Sequence, residues 1–418
     1  MSSQLTRTRW VICGLLFFAT TVNYLDRQVL SILAPQLTKI FDWDELDYGY
    51  IVFAFQLSYA VAFLWAGRLI DWLGTRVGYA WFVGLWGIAS AAHALASGFI
   101  GFVVARTALG LTEAGNFPAA IKTVSEWFPK KERALATGIF NSGAMLGAII
   151  APLTVPFLYA AFGWRAAFIG LGLLNVIWLV WWLKIYRSPQ EKHDLHPDEL
   201  AYIQGDPPDT PAEKLQWVHL FRYRGVWAFA IGKFLSDPIW WFFLFWLPKF
   251  LNQKHGLSLT AMGLPLIVIY CVSAMGSIGG GWLTARLMSA GWGLNAARKS
   301  VLLIAALAVV PVVFAAKADS LWLAVALISL ATAAHCAWMA NLYSLVSDIF
   351  PKKAVASVTG IGGTLGSIGG MLIALLAGWI LQTNGAYWPM FAIAGAAYIV
   401  AWVIIHLLVP KIQPVSIC

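Results

Sequence analysis

The chain has 418 residues, 60% of them hydrophobic and 11% charged, with 23 Trp and a formal net charge of +9. Soluble domains carry about 25% charged residues, so this composition excludes a chain wetted on all sides. The cations fall in short clusters between apolar runs instead of along one polar face, which excludes a nucleic-acid surface and fits orientation in a lipid bilayer.

Twelve apolar spans are predicted, at 10–37, 47–70, 77–96, 99–122, 133–160, 164–186, 225–251, 259–287, 299–316, 320–346, 354–382 and 386–410. Each is long enough to cross a hydrocarbon core about 30 Å thick as a helix. The fold class is therefore an all-α polytopic membrane protein. Of the 28 Lys and Arg, only Lys39, Arg165, Lys249, Lys254 and Lys317 fall in odd-numbered loops, and Arg27, Arg106, Lys122 and Lys233 lie within spans. The rest flank the other side, which places both termini in the cytoplasm.

The first span holds "NYLDR" at 23–27. Asp26 is near mid-membrane, where a charge costs about 2.5–3.5 kcal/mol, so a polar helix must receive it. Adjacent helical residues diverge by about 100°, so Asp26 and Arg27 face different neighbours. Tyr24 is one turn before Arg27, and Gln56 and Tyr59 share a face of the second span, a set of hydroxyl and amide groups suited to a polyol.

The loop after the second span reads Gly67-x-x-x-Asp71-x-x-Gly74-x-Arg76. These residues, with Arg133, are candidates for a cytoplasmic gate. In the fourth span Arg106 and Glu113 are seven apart, within about 20° of one face. Asp26, Arg27, Arg106 and Glu113 then form a neutral cluster of charges. It is either a static network that fixes helix packing or, more simply, a proton relay beside an anion site.

"SEWFPKKERALATGIFNSGAMLGAII" at 125 returns as "SDIFPKKAVASVTGIGGTLGSIGGML" at 347, an offset of 222 that also joins Gly138 to Gly360 and Gly147 to Gly369. Two six-span repeats, 1–186 and 225–418, flank a polar cytoplasmic linker at 187–224. This is a transporter plan. Asn141 in the fifth span offers hydrogen bonds to a substrate. In the seventh, Lys233 and Asp237 are an i,i+4 pair that either neutralises itself or supplies a second anion-binding base, and Trp241 is a cavity aromatic. In the tenth, His335, Trp338 and Asn341 form a stripe able to stack on a pyranose and bond its hydroxyls, although His335 also reads as a core histidine. The glycines of the eleventh span, Gly360 to Gly370, allow close packing, sliding or bending. The four cysteines have no disulfide or metal spacing, and no nucleotide-binding or Ser/His/Asp pattern occurs, so neither an enzyme nor a metal site is expected.

The 67–76 motif resembles the signature of the major facilitator superfamily, with Trp72 where a base is usual. "NYLDR", residues 105–143, "KFLSDPIWWFFLFWLPKFLNQKHG" at 233–256 and residues 337–363 resemble the anion:cation symporters, the hexuronate transporters among them. The resemblance implies twelve helices in two six-helix bundles, a bacterial inner-membrane location, and import of glucuronate or galacturonate with protons by alternating access. It implies proton-coupling roles for Asp26 and Glu113, anion binding by Arg27, and substrate contact by Tyr24 and Tyr59. We add Arg106 as the base that holds Glu113 ionised. Ala144 stands where galactonate relatives have Gln, a departure from that branch. The expected partners are a small sugar-acid anion, protons and lipid, with the protein monomeric and without a cofactor. Another sugar acid, such as galactonate or glucarate, or another organic anion is the alternative within transport; a non-transporting sensor or scaffold is the alternative outside it.

Overall fold

In hydrocarbon a backbone N–H or C=O has no water to bond, so a chain this apolar satisfies both within helices. The computed structural model describes residues 8–192, 194–205 and 217–415; residues 206–216 of the linker lie outside them. Among the described residues there is no strand.

The helices are α1 (Thr8–Ile40), α2 (Glu45–Leu73), α3 (Thr75–Ala92), α4 (Phe99–Glu113), α5 (Asn116–Trp127), α6 (Lys130–Phe162) and α7 (Trp164–Ile185). The linker carries α8 (Pro197–Gln204) and α9 (Trp217–Leu220). Then follow α10 (Arg224–His255), α11 (Gly263–Ser289), α12 (Leu294–Val309), α13 (Leu321–Ile349), α14 (Lys352–Asn384) and α15 (Trp388–Leu408). Nine helical stretches among the described residues are long and apolar enough to cross a membrane. The other three predicted spans are α1, α3 and the α4–α5 pair, in which charged and polar residues interrupt the apolar sequence.

The fourth span was expected to be continuous, and it is broken after Glu113. Pro118 has no N–H to offer the Ala114 carbonyl one turn earlier, and the helix restarts at Asn116. Glu113 therefore sits at the carbonyl-rich end of α4, the end that favours a nearby cation.

The chain divides into two units, Met1–Asp42 with Ala54–Thr210, and Trp43–Phe53 with Pro211–Cys418. In the first unit α1 packs on α6 and α7, and α3 on α4 and α7. Arg9 of α1 reaches Glu132 of α6 at 2.9 Å and the buried Glu199 of α8 at 3.1 Å, which fastens the start of the linker to this unit. In the second unit α10 packs on α14 and α11 on α13.

The internal repeat is visible in this packing. A Cβ on Gly147 of α6 would lie 2.4 Å from the Thr21 carbonyl of α1, and one on Gly369 of α14 would lie 2.7 Å from the Phe234 carbonyl of α10. Each unit uses the same repeated glycine to bring the same pair of helices together. The repeated prolines Pro129 and Pro351 both hold extended backbone at the N-caps of α6 and α14, with ψ of 152° in each.

Candidate functional site

α1 presents its two central charges to different neighbours. Arg27 is 2% exposed and donates from Nε to Oε2 of the fully buried Glu113 at 2.6 Å. Its guanidinium carbon lies 5.0, 5.4 and 4.7 Å from the ring centroids of Tyr24, Phe55 and Tyr59. Ring faces on α1 and α2 thus enclose the cation, an arrangement that stabilises it where water does not. Tyr24 and Tyr59 are half-buried, so the enclosure has an accessible edge. Gln56 is 1% exposed and its Nε2 has no acceptor among the described residues.

Asp26 faces the other way, into the seam of α3 and α7. Ser90 Oγ donates to its Oδ1 at 2.6 Å and Asn175 Nδ2 to its Oδ2 at 2.9 Å. Trp86 Nε1 in turn bonds Asn175 Oδ1. The carboxyl is received by neutral donors on both oxygens. Within the expected cluster, Arg27 and Glu113 are in direct contact, whereas the hydrogen bonds of Asp26 come from Ser90 and Asn175. The base in hydrogen-bond contact with Glu113 is Arg27, while Arg106, the expected partner, acts on Glu113 through its charge. Arg106 is buried with its guanidinium carbon 5.7 Å from the Phe55 ring, and its charge acts on both acids.

Ser90, Asn175, Trp86 and Phe55 were not anticipated. Asn175 had a signal, an isolated amide within "LGLLNVIWLV". Ser90 and the two aromatics had none, because Ser, Trp and Phe are ordinary in an apolar span.

The candidates on the second unit are largely absorbed by packing. His335 Nδ1 shares a 2.6 Å hydrogen bond with the Tyr398 hydroxyl and its ring stacks on Trp240 at 5.1 Å. Trp338 is fully buried, edge-on to Tyr398 at 5.5 Å. Asn341 Oδ1 accepts from Thr284 at 2.6 Å and from Arg298 at 3.1 Å, and its Nδ2 donates to the Gly280 and Ala337 carbonyls at 3.2 and 3.0 Å. The expected sugar-facing stripe is a helix-packing stripe, since α11 and α15 cover it. Trp241 is half-buried and stacks on Phe245, and Asn141 of α6 is exposed.

Of the gate candidates, Gly74 has φ of 78° at the N-cap of α3, a conformation suited to glycine. Asp71 pairs with Lys122 of α5 at 2.7 Å, a partner the sequence reading omitted. Arg76 donates to the Leu183 carbonyl at 2.6 Å, and Arg133 to the Phe128 and Ser125 carbonyls at 2.9 and 3.0 Å at the end of α5. Gly67 approaches Pro118 of α5, to which a Cβ would lie 3.9 Å away. Each of these contacts is internal to the first unit. Among the described residues no group of His, Cys, Asp and Glu converges as a metal site.

The family model for the Major Facilitator Superfamily matches residues 16–372. The chain belongs to this superfamily. It is 33% identical over 391 residues to the hexuronate transporter of Escherichia coli (strain K12), with 92% of this chain and 90% of that one covered. It is also 34% identical over 279 residues to the galacturonate transporter of Dickeya chrysanthemi, covering 66% and 81%. The D-xylose–proton symporter, a solved structure, shares its fold with a TM-score of 0.73 at 16% identity, over 97% of this chain and 98% of that one. This major facilitator protein is a multi-pass membrane transporter and not an enzyme.

Proposed function

We propose that this transporter imports hexuronates, galacturonate or glucuronate, together with protons, by alternating access across a bacterial inner membrane with both termini in the cytoplasm. The observation that carries this reading is the buried Arg27–Glu113 contact inside its tyrosine enclosure. The similarity to hexuronate and galacturonate transporters supports the substrate class, and the distribution of Lys and Arg supports the orientation.

A sugar carboxylate fits the planar two-pronged donor that Arg27 offers. To take it, Arg27 must be released by Glu113, and a proton on Glu113 does this by removing the competing charge. Tyr24 and Tyr59 lie beside Arg27, and they and the Nε2 of Gln56, on the same helix as Tyr59, receive the sugar's hydroxyls and ring face. When Glu113 loses its proton it recaptures Arg27 and the anion leaves. Asp26, held by Ser90 and Asn175 on the other face of α1, is the second proton-carrying group. Carrying a monovalent anion into an inside-negative cell costs about 2.3 kcal/mol per 100 mV, which one accompanying proton cancels.

Uptake of labelled galacturonate and glucuronate into proteoliposomes under an imposed pH gradient tests this. Accumulation that collapses with a protonophore is the expected result. Accumulation of galactonate or glucarate but of neither hexuronate would overturn the substrate, and uptake indifferent to the gradient would overturn the coupling.

A further inference from the structure

The segment "KFLSDPIWWF" has no part in the site on α1, yet it holds an ion pair inside the second unit, with Lys233 only 5% exposed. Lys233 Nζ lies 2.7 Å from Asp237 Oδ2 and donates to the Tyr343 hydroxyl of α13 at 3.1 Å, with the ammonium 5.0 Å from that ring's centroid. α14 is shaped around the pair. A Cβ on Gly366 would lie 2.1 Å from Asp237 Oδ2 and 3.3 Å from Lys233 Cε, so only glycine admits the carboxylate there.

The cluster is closed on one side and open on the other. The Lys233 side chain is 7% exposed and that of Asp237 14%, whereas Tyr343 is 43% exposed. Its hydrogen-bonding capacity is not exhausted. An ammonium has three N–H groups, of which two are used here. Among the described residues Asp237 Oδ1 has no donor, and the Tyr343 hydroxyl accepts from Lys233 but donates to no group. The open side thus offers a cationic donor, a hydroxyl donor and an anionic acceptor together. A carboxylate with a neighbouring hydroxyl matches that set, the carboxylate taking Lys233 and Tyr343 and the hydroxyl donating to Asp237. Trp241, one turn further along α10 and half-buried, supplies a ring for a pyranose face.

We propose that Lys233, Asp237 and Tyr343 form a second sugar-acid binding cluster, carried by residues of the second unit alone. Lys233 is nine residues into α10, about 14 Å of helical rise from its cation-flanked start at Arg224, so in the orientation above the site serves the cytoplasmic part of the route. The inference rests on the sugar-acid reading but not on proton coupling.

A purely static ion pair makes the opposite demand, because replacing both members of a buried pair by neutral groups is often harmless once neither charge is left alone. The paired variant K233M/D237N, with Y343F as a variant that removes one hydroxyl from a partly exposed residue, therefore separates the two. KM for labelled galacturonate is measured in right-side-out and inside-out vesicles, with detergent melting as the check on folding. The expected result is that both variants melt with the parent. KM at the cytoplasmic face rises about tenfold or more in K233M/D237N, the loss of one charge-assisted contact, and by less in Y343F, while KM at the other face stays within about twofold. Parent-like KM at both faces in both variants overturns the site; should the paired variant not fold, Y343F alone decides. If the parent carries another sugar acid and no hexuronate, the substrate reading above fails, and the same variants assayed with that anion still decide this one.

Discussion

At the scale of single residues, the two faces of α1 separate two kinds of demand. Arg27 is held by a carboxylate and three rings, and removing one member of a buried ion pair typically costs about 3–5 kcal/mol because the other charge is left alone. Arg27→Ala is expected to abolish galacturonate binding. Arg27→Lys keeps the charge but loses the two-pronged geometry and is expected to raise KM by about tenfold. Asp26 is different, because its donors are neutral. Asp26→Asn is expected to abolish gradient-driven accumulation while counterflow exchange persists, since exchange requires no net proton movement. An Asp26→Asn protein that accumulates galacturonate like the parent would remove Asp26 from the coupling. Sequence alone disclosed that Asp26 and Arg27 could not satisfy each other, because helical geometry is fixed by backbone hydrogen bonding. It linked Glu113 to Arg106 and missed the direct Arg27–Glu113 contact because i,i+7 spacing shows only what one helix presents. Which helix approaches is decided by packing between distant segments.

At the scale of helices, the interruption between α4 and α5 places the end of a helix beside a buried cation. Pro118 was legible as a breaker, but its effect was lost in an otherwise continuous apolar run. Pro118→Ala restores a donor to the Ala114 carbonyl. It is expected to leave melting unchanged or raised while slowing counterflow, because Glu113 is then carried into a straighter helix away from Arg27. Unchanged counterflow would show that the break has no functional part. The glycines of α14 were also legible as a pattern but not in purpose. Gly362, Gly366, Gly369 and Gly370 each make room for a residue of α10, respectively Phe229, Asp237, Phe234 with Pro238, and Trp241, whereas Gly360 and Gly363 meet nothing within 4 Å. Gly147→Leu and Gly369→Leu are expected to destabilise comparably, by about 1–3 kcal/mol of overpacking or more, read as detergent melting.

At the scale of the whole molecule, hydropathy and charge made the fold class and the twelve-span count plain, since lipid permits few architectures. The tenth-span stripe was misread for the converse reason. In a membrane protein, polar residues mark both cavities and helix seams, and His335, Trp338 and Asn341 belong to seams. The orientation follows from the distribution of cations and is open to direct measurement. In a background lacking the exposed Cys271, Ser258→Cys between α10 and α11 is expected to react with an impermeant maleimide in intact cells, and Ser188→Cys after α7 only in permeabilised ones. The reverse pattern would invert the topology and with it the direction assigned to transport.

The matched glycines Gly147 and Gly369 bear on ancestry. Both halves preserve the spacing of one helix seam, while the chemistry around it has diverged to a guanidinium with a glutamate in one half and an ammonium with an aspartate in the other. A duplicated gene segment that must keep its backbone contacts but is free in its polar side chains can acquire new ligands one half at a time. Substrate range in such a lineage would then change by substitutions near α10 without disturbing the charges on α1.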